Sequence, residues 1–320
     1  MIDSFKPEGE LYRTPENRAH LSSPAALEKA MQNGTVVEGV ATLCDSDLCL
    51  HVDLAGTHGI LPPEEAVLCR PGESRKDIAI VSRVGKPIAV RIIALEKLGD
   101  RLVARLSRRM AQRDCTTRYL SLLRPGDLIP ARVTHLESFG AFLDIGCGVT
   151  SLLSVDCISV SRIAHPKDRL AVGDSVTVAV KSNDPESGRI YVTMRELLGT
   201  WEQNASLFAV GQTVTGIIRS VENYGAFVEL TPNLAGLSEV RGEEHANELK
   251  RLIGHSASVY IKSILPERMK IKLVIIDAEN CASLPKKPNF FITRDTTDHL
   301  SHWVYSPIGC RKVIETRFGN

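Results

Sequence analysis

Gly126-Asp127-Leu128-Ile129-Pro130-Ala131 opens a segment that this chain writes three times. Gly34-Thr35-Val36-Val37-Glu38-Gly39 heads an earlier copy, and Gly211-Gln212-Thr213-Val214-Thr215-Gly216 heads a later one. Register holds well beyond these openings. Phe139-Gly140-Ala141-Phe142-Leu143-Asp144-Ile145 and Tyr224-Gly225-Ala226-Phe227-Val228-Glu229-Leu230 fall at the same offset. Lys181-Ser182-Asn183-Asp184-Pro185-Glu186 likewise falls beside Lys262-Ser263-Ile264-Leu265-Pro266-Glu267, after a shorter middle loop. A unit of this length is too long for a solenoid repeat and long enough for a small domain. The 320 residues therefore read as three modules with extensions, and function is expected from the array.

Each module carries short β-branched runs. They are Val36–Leu43, Leu48–Leu54, Ile88–Leu95 and Leu102–Leu106 in the first, and Leu128–Leu136, Ala141–Ile145, Ser175–Lys181 and Arg189–Met194 in the second. The third has Thr213–Val221, Ala226–Leu230, Ala257–Ile264 and Lys270–Ile276. Short strands separated by glycine and proline predict small closed β structures. Between modules, Arg108–Leu123 and Arg195–Phe208 place apolar residues at helical spacing, which predicts connecting helices, with Trp201 and Phe208 packing against a neighbouring barrel. Ser23 before Pro24, with Gly34 beyond Met31, predicts a lead-in helix. The organisation expected is an extension at 1–33, modules at 34–108, 126–195 and 211–277, helical linkers at 109–125 and 196–210, and a tail at 278–320. In the tail, Trp303, Tyr305, Val313, Ile314 and Phe318 are too apolar to float freely, whereas Lys286-Lys287 and Arg311-Lys312 read as surface charges.

The 39 basic and 38 acidic residues nearly cancel, so any attraction for nucleic acid must come from local patches. Eight scattered cysteines, without paired short spacings, predict reduced cytoplasmic thiols rather than a disulfide framework. No signal-peptide pattern and no apolar run of spanning length is seen, which predicts no membrane partner. Cys44, Cys49 and His51 are ligand types, but a second ligand pair at zinc spacing is missing, so no metal is expected. Glycine-rich phosphate loops, nucleophile elbows and clustered carboxylates are also missing, which predicts a binding protein with neither catalytic residues nor cofactor.

The string from Gly126 through Ser138-Phe139-Gly140-Ala141-Phe142, then Val172-Gly173-Asp174 and Asp184 to Arg189, resembles the S1 RNA-binding domain. The third module resembles it through Tyr224–Leu230 and the first in outline only. The whole arrangement is similar to the short ribosomal protein S1 homologues of Gram-positive, clostridia-like bacteria. The resemblance implies an all-β chain of three tandem five-stranded oligonucleotide-binding (OB) barrels with connecting helices.

It also implies an RNA face made of two aromatics, a histidine on the third strand, and an aspartate and arginine flanking the last turn. Aromatic rings stack on bases of any sequence while cations hold phosphates. In the second module these positions are Phe139, Phe142, Ser154 in place of histidine, Asp184 and Arg189. In the third they are Tyr224, Phe227, Glu239, Leu265 and Lys270; in the first, Leu48, His51 and Pro62 stand at the aromatic and histidine positions. The other reading of the aromatic pairs is core packing. Between Ser161 and Arg169, the residues Arg162, His165, Lys167 and Arg169 either widen a phosphate track or form a solvated loop with internal ion pairs.

The function implied is a non-enzymatic, cytoplasmic RNA-binding protein that holds single-stranded mRNA near the small ribosomal subunit, with the second module as principal site. The alternatives are an RNA chaperone or regulator off the ribosome, a protein scaffold with reduced RNA affinity, and an accessory subunit of a ribonuclease.

Overall fold

The computed structural model describes residues 5–69, 72, 74–184, 187–282 and 288–319, with the backbone alone at 279–282. Lys286 and Lys287 lie outside the described residues. Two helices, α1 (Pro15–Leu21) and α2 (Pro24–Gln32), precede the first barrel. That barrel is built from β1 (Val36–Cys44), β2 (Leu50–Leu54), β3 (Thr57–Leu61), β4 (Pro87–Leu98) and β5 (Arg101–Ser107), with the short α3 (Ile78–Val81) before β4. Helix α4 (Arg108–Arg118) leads to β6 (Leu128–Glu137), β7 (Gly140–Asp144), β8 (Thr150–Ser154), β9 (Ser175–Asp184) and β10 (Arg189–Thr193). After α5 (Trp201–Ala205) come β11 (Thr213–Glu222), β12 (Gly225–Thr231), β13 (Leu234–Ser238), α6 (Gly242–Arg251), β14 (His255–Leu265) and β15 (Lys270–Ala282). A hairpin of β16 (His302–Val304) and β17 (Glu315–Arg317) follows.

Each set of five strands closes into a barrel with one cyclic order, first-second-third-fifth-fourth. The pairing of third with fifth strand is parallel, as in His58↔Val103, Tyr191↔Leu152 and Leu237↔Lys272. The all-β, three-barrel reading of the sequence holds. Bulges after Ala41 in β1 and after Ile218 in β11 bend the long first strand around its barrel at matching places. Glycine permits the tightest approaches. A Cβ on Gly59 would lie 2.5 Å from Leu106 Cδ1, and one on Gly236 would lie 2.6 Å from Leu273 Cδ1.

The chain divides into two compact units. The first holds residues 1–123 with 130–132 and 143–151. Its apolar core joins Leu21, Leu27 and Ala30 of α1 and α2 to Val37, Leu50, Val52, Leu61, Val90 and Leu106 of the barrel. Truncating one such residue, Leu27→Ala, removes about 2–5 kcal/mol. Helix α2 is capped as expected, the Ser23 side chain accepting from Ala26 N at 3.2 Å. Helix α1 is an addition: Thr14 caps it and Pro15 starts it, and Asn17 donates to Glu38 O (2.9 Å) while accepting from Glu38 N (2.8 Å), so one side chain imitates a strand beside β1.

A buried ionic cluster lies deeper in this unit. Glu8 accepts from Arg108 Nε at 2.6 Å and Arg108 Nη2 at 3.0 Å, and Arg83 joins at 3.3 Å. Burial opposes the Glu8 charge, yet the two guanidinium groups outweigh it and hold the carboxyl below its ordinary range. Glu8 N donates to Asp144 Oδ2 at 2.7 Å, and Cys147 N donates to Lys6 O at 2.9 Å, so the segment before α1 holds the turn after β7.

The second unit holds the third barrel and most of the second. Trp201, Trp303 and Tyr305 are buried in the third barrel's core cluster and Phe208 packs against it, as the sequence led one to expect. Of the tail's other apolar residues, Phe318 is buried, Ile314 half-buried and Val313 exposed. The expected single helix over 196–208 is broken. Gly199 takes a left-handed φ of 83°, ending a 3₁₀ turn at Leu198, and Thr200 with Gln203 forms a capping box that restarts the chain as α5. Among the described residues no helix is long and apolar enough to cross a membrane.

Candidate nucleic-acid interface

The turn between β6 and β7 projects Phe139, which is 54% exposed, and β7 carries the half-buried Phe142 beside it. Their rings meet edge to face, with centroids 6.0 Å apart and planes at 88°. The core-packing reading therefore fails for Phe139, whose ring lies at the surface. Gly140 is required here for space: a Cβ would sit 2.5 Å from Leu153 O and 3.0 Å from Ser154 Cα on β8. That close approach brings the strand bearing Ser154 under the aromatic pair.

Sequence reasoning missed a third ring. His135 of β6 stacks against Phe142, with centroids 6.3 Å apart and planes at 25°, and its Nε2 lies 2.7 Å from Glu137 Oε1. The three rings form one strip. Its signal appears only once the β6–β7 hairpin is in register, because neighbouring Thr134 donates its hydroxyl to Phe142 O at 3.0 Å.

The third barrel repeats the device. Tyr224 is 67% exposed, and its ring meets Phe227 at 6.2 Å and 90°. A Cβ on Gly225 would lie 2.7 Å from Ser238 O, as Gly140 approaches β8 in the second barrel. Ser220 pairs with Phe227 where His135 meets Phe142, and Glu239 is exposed.

Asp184 and Arg189 are cross-strand partners closing the β9–β10 hairpin, and Ser187 Oγ donates to Asp184 Oδ2 at 2.5 Å. Leu265↔Lys270 closes β14–β15 in the same way, and Leu98↔Arg101 closes β4–β5. All three barrels thus carry a cation at this corner, and Arg101 is one the sequence reading did not assign.

The loop between β8 and β9 divides its cations. Arg162 and Lys167 are exposed, and His165 is half-buried with Nδ1 accepting from Lys167 N at 3.1 Å. Arg169 does not belong on a phosphate track. Its side chain is fully buried and donates to Glu229 of β12, which also accepts from Arg219 Nε at 2.7 Å, while Arg219 reaches Asp168 at 3.3 Å. The requirement that a buried carboxylate such as Glu229 be paired explains the correction. The same loop is held by Val160 N donating to Asn233 Oδ1 at 2.9 Å.

In the first barrel the strip is replaced. Leu43 and His51 pair across β1 and β2, and Leu48 precedes β2 with a left-handed φ of 61°. His51 Nε2 lies 3.1 Å from Asp45 Oδ2, and its Nδ1 lies 3.1 Å from His58 Nε2. Pro62 caps the 3₁₀ turn after β3.

The S1 RNA binding domain model matches residues 122–195, which enclose the second barrel and its ring strip. Small ribosomal subunit protein bS1 of Leuconostoc lactis is 33% identical over 278 residues, covering 81% of this chain and 62% of that protein. The bS1 of Mycolicibacterium smegmatis is 27% identical over 308 residues, covering 93% of this chain and 62% of that protein. The chain thus spans less than two-thirds of the length of either relative. Among solved structures, GSP13 from Bacillus subtilis is 27% identical, covering 23% of this chain and 56% of that one with a TM-score of 0.22. Residues 122–195 therefore match the S1 RNA binding domain, in a chain that is similar over most of its length to small ribosomal subunit protein bS1.

Proposed function

We propose that this protein binds single-stranded RNA, with the second barrel as principal site, and holds mRNA near the small ribosomal subunit in the cytoplasm. The observation that carries the reading is the exposed Phe139 ring, edge to face with Phe142 and extended by His135. Such a strip offers bases π-faces without hydrogen-bond readout, so the binding has little sequence preference. Arg162, Lys167 and Arg189 supply exposed cations for the backbone, with Asp184 the cross-strand partner of Arg189. Tyr224 and Phe227 with Lys270 form the secondary site, weakened by the exposed carboxylate of Glu239. The role is one of binding rather than catalysis, in keeping with relatives named as a ribosomal protein.

A filter-binding titration of the full chain tests this. Single-stranded RNA is expected to bind more tightly than a duplex of the same sequence, with affinity falling steeply between two salt concentrations. Equal affinity for both, or no salt slope, defeats the reading. Co-sedimentation with small subunits at low salt then separates a ribosomal role from one off the ribosome.

A further inference from the structure

The first barrel puts a different chemistry where the other two put aromatic rings. His51 stands on β2 at the position of Phe227, and His58 is its diagonal neighbour on β3. The imidazole centroids are 5.1 Å apart with planes at 31°, and Nδ1 of His51 faces Nε2 of His58 across 3.1 Å. Asp45 fixes which nitrogen carries the proton. Its Oδ1 accepts from Cys49 N (2.9 Å) and Asp47 N (3.0 Å), and its Oδ2 meets His51 Nε2 at 3.1 Å. An ionised carboxylate only accepts, so Nε2 of His51 bears the hydrogen and Nδ1 presents its lone pair to His58.

We propose that His51 Nδ1 and His58 Nε2 together ligate a borderline divalent transition metal, of the nickel, copper or zinc class, on the open face of the first barrel. Two lone pairs 3.1 Å apart subtend about 100° at a metal ~2.0–2.1 Å from each nitrogen, between square-planar and tetrahedral angles. Asp45 supplies the outer carboxylate that orients a ligating imidazole and raises its basicity. Both histidines sit on paired strands, so the ligand spacing is set by the barrel.

The thiols nearby stay outside the site. Cys44 Sγ turns to Asp45 O at 3.8 Å. Among the described residues no third histidine, cysteine or carboxylate converges on the pair, which leaves the remaining coordination positions to water or an exogenous ligand.

Titrating the full chain with Ni²⁺ in a calorimeter tests the site. One equivalent is expected to bind, at least tenfold more weakly in His51→Gln and in His58→Gln. Asp45→Asn weakens it about tenfold as well, the usual cost of losing an outer-shell partner. A Cys44→Ser/Cys49→Ser double variant leaves it unchanged. Independently of any substitution, long-range proton–nitrogen spectra of the unmodified chain with Zn²⁺ are expected to shift His51 Nδ1 and His58 Nε2 before other imidazoles. Wild-type affinity in both histidine variants, loss confined to the cysteine variant, or unmoved His51 and His58 resonances overturns the proposal. Those outcomes leave the pair as a hydrogen bond, with His58 donating to His51.

Discussion

The first and second barrels share strand order, a parallel closure between third and fifth strands, and a cation at the last hairpin. They differ on one strip of surface. The second barrel shows His135, Phe142 and Phe139 in ring contact, whereas the first shows Leu43, His51 and Leu48, with the imidazole turned to Asp45 and His58. The barrel is held by inward residues and by glycines at close crossings, so its outer strip is free to change chemistry without changing the fold. A single architecture therefore does not assign a single role to all its copies.

The comparison can be broken most forcefully at Arg169, a cation that resembles Arg189 in sequence and opposes it in setting. Arg169→Ala leaves the buried carboxylate of Glu229 with Arg219 as its remaining guanidinium partner and is expected to cost at most about 3 kcal/mol of stability, below the full penalty of an unpaired buried charge, read as a shift of the denaturant midpoint. Arg189→Ala, at an exposed corner, leaves that midpoint in place and reduces the salt slope of RNA binding by about one.

A pH titration sharpens the contrast next, because the first barrel carries a buried carboxyl in β1 where β6 has Pro130 and β11 has Thr215. Burial, only partly offset by N–H donors from Gly9 and Tyr12, raises Glu38 from 4.5 to about 8. The unfolded chain therefore loses this proton first, and stability declines as pH rises from about 4.5 to about 8. Glu38→Gln flattens this decline in thermal melts. The flattening stays incomplete up to about pH 7, because burial raises Asp144 to about 7 as well.

Phe139→Ala and Phe142→Ala come third, each expected to cost about 1–3 kcal/mol of single-stranded RNA binding with the melting temperature of Phe139→Ala unchanged. Tyr224→Ala and Phe227→Ala cost less. Intact folding with unchanged affinity in both phenylalanine variants would falsify the ranking. The smallest effect is a gain: Leu48→Phe with His51→Phe gives the first barrel a ring pair and adds about 1 kcal/mol per stacked base, the low end for such stacking, since Leu43 stands where the second barrel has His135. Filter binding against the same oligonucleotide reads it.

The barrels were legible in the sequence through their repeated openings, but one strand of each was not. Thr57–Leu61, Thr150–Ser154 and Leu234–Ser238 are five residues long and rich in small and polar side chains, because each is crossed closely by neighbours and only alternate positions face the core. Helix α6 escaped for a related reason, since only Leu249 of its residues is buried. Phe139, Phe142, Tyr224 and Phe227 were legible as pairs because they recur at one offset. His135 was not, since its contact with Phe142 runs across a hairpin. Arg169 was misplaced because charge is visible in a sequence and its partner Glu229, in the next module, is not.

The bonds near β16 carry a consequence for how the protein is made. Leu128 N donates to Asp298 O at 2.8 Å, Leu300 N donates to Gly126 O at 2.9 Å, and His299 Nδ1 reaches Asp127 across 172 residues of chain at 2.7 Å. Trp303 and Tyr305 fill the third barrel's core from the same stretch. During synthesis the start of β6 therefore leaves the ribosome long before its partner exists, and closing so long a loop is slow. The unit that holds Glu8 and Arg108 can settle while translation continues. The second barrel, by contrast, waits with a provisional edge, and a nascent chain halted before residue 298 should expose Leu128 to proteases that the finished protein resists.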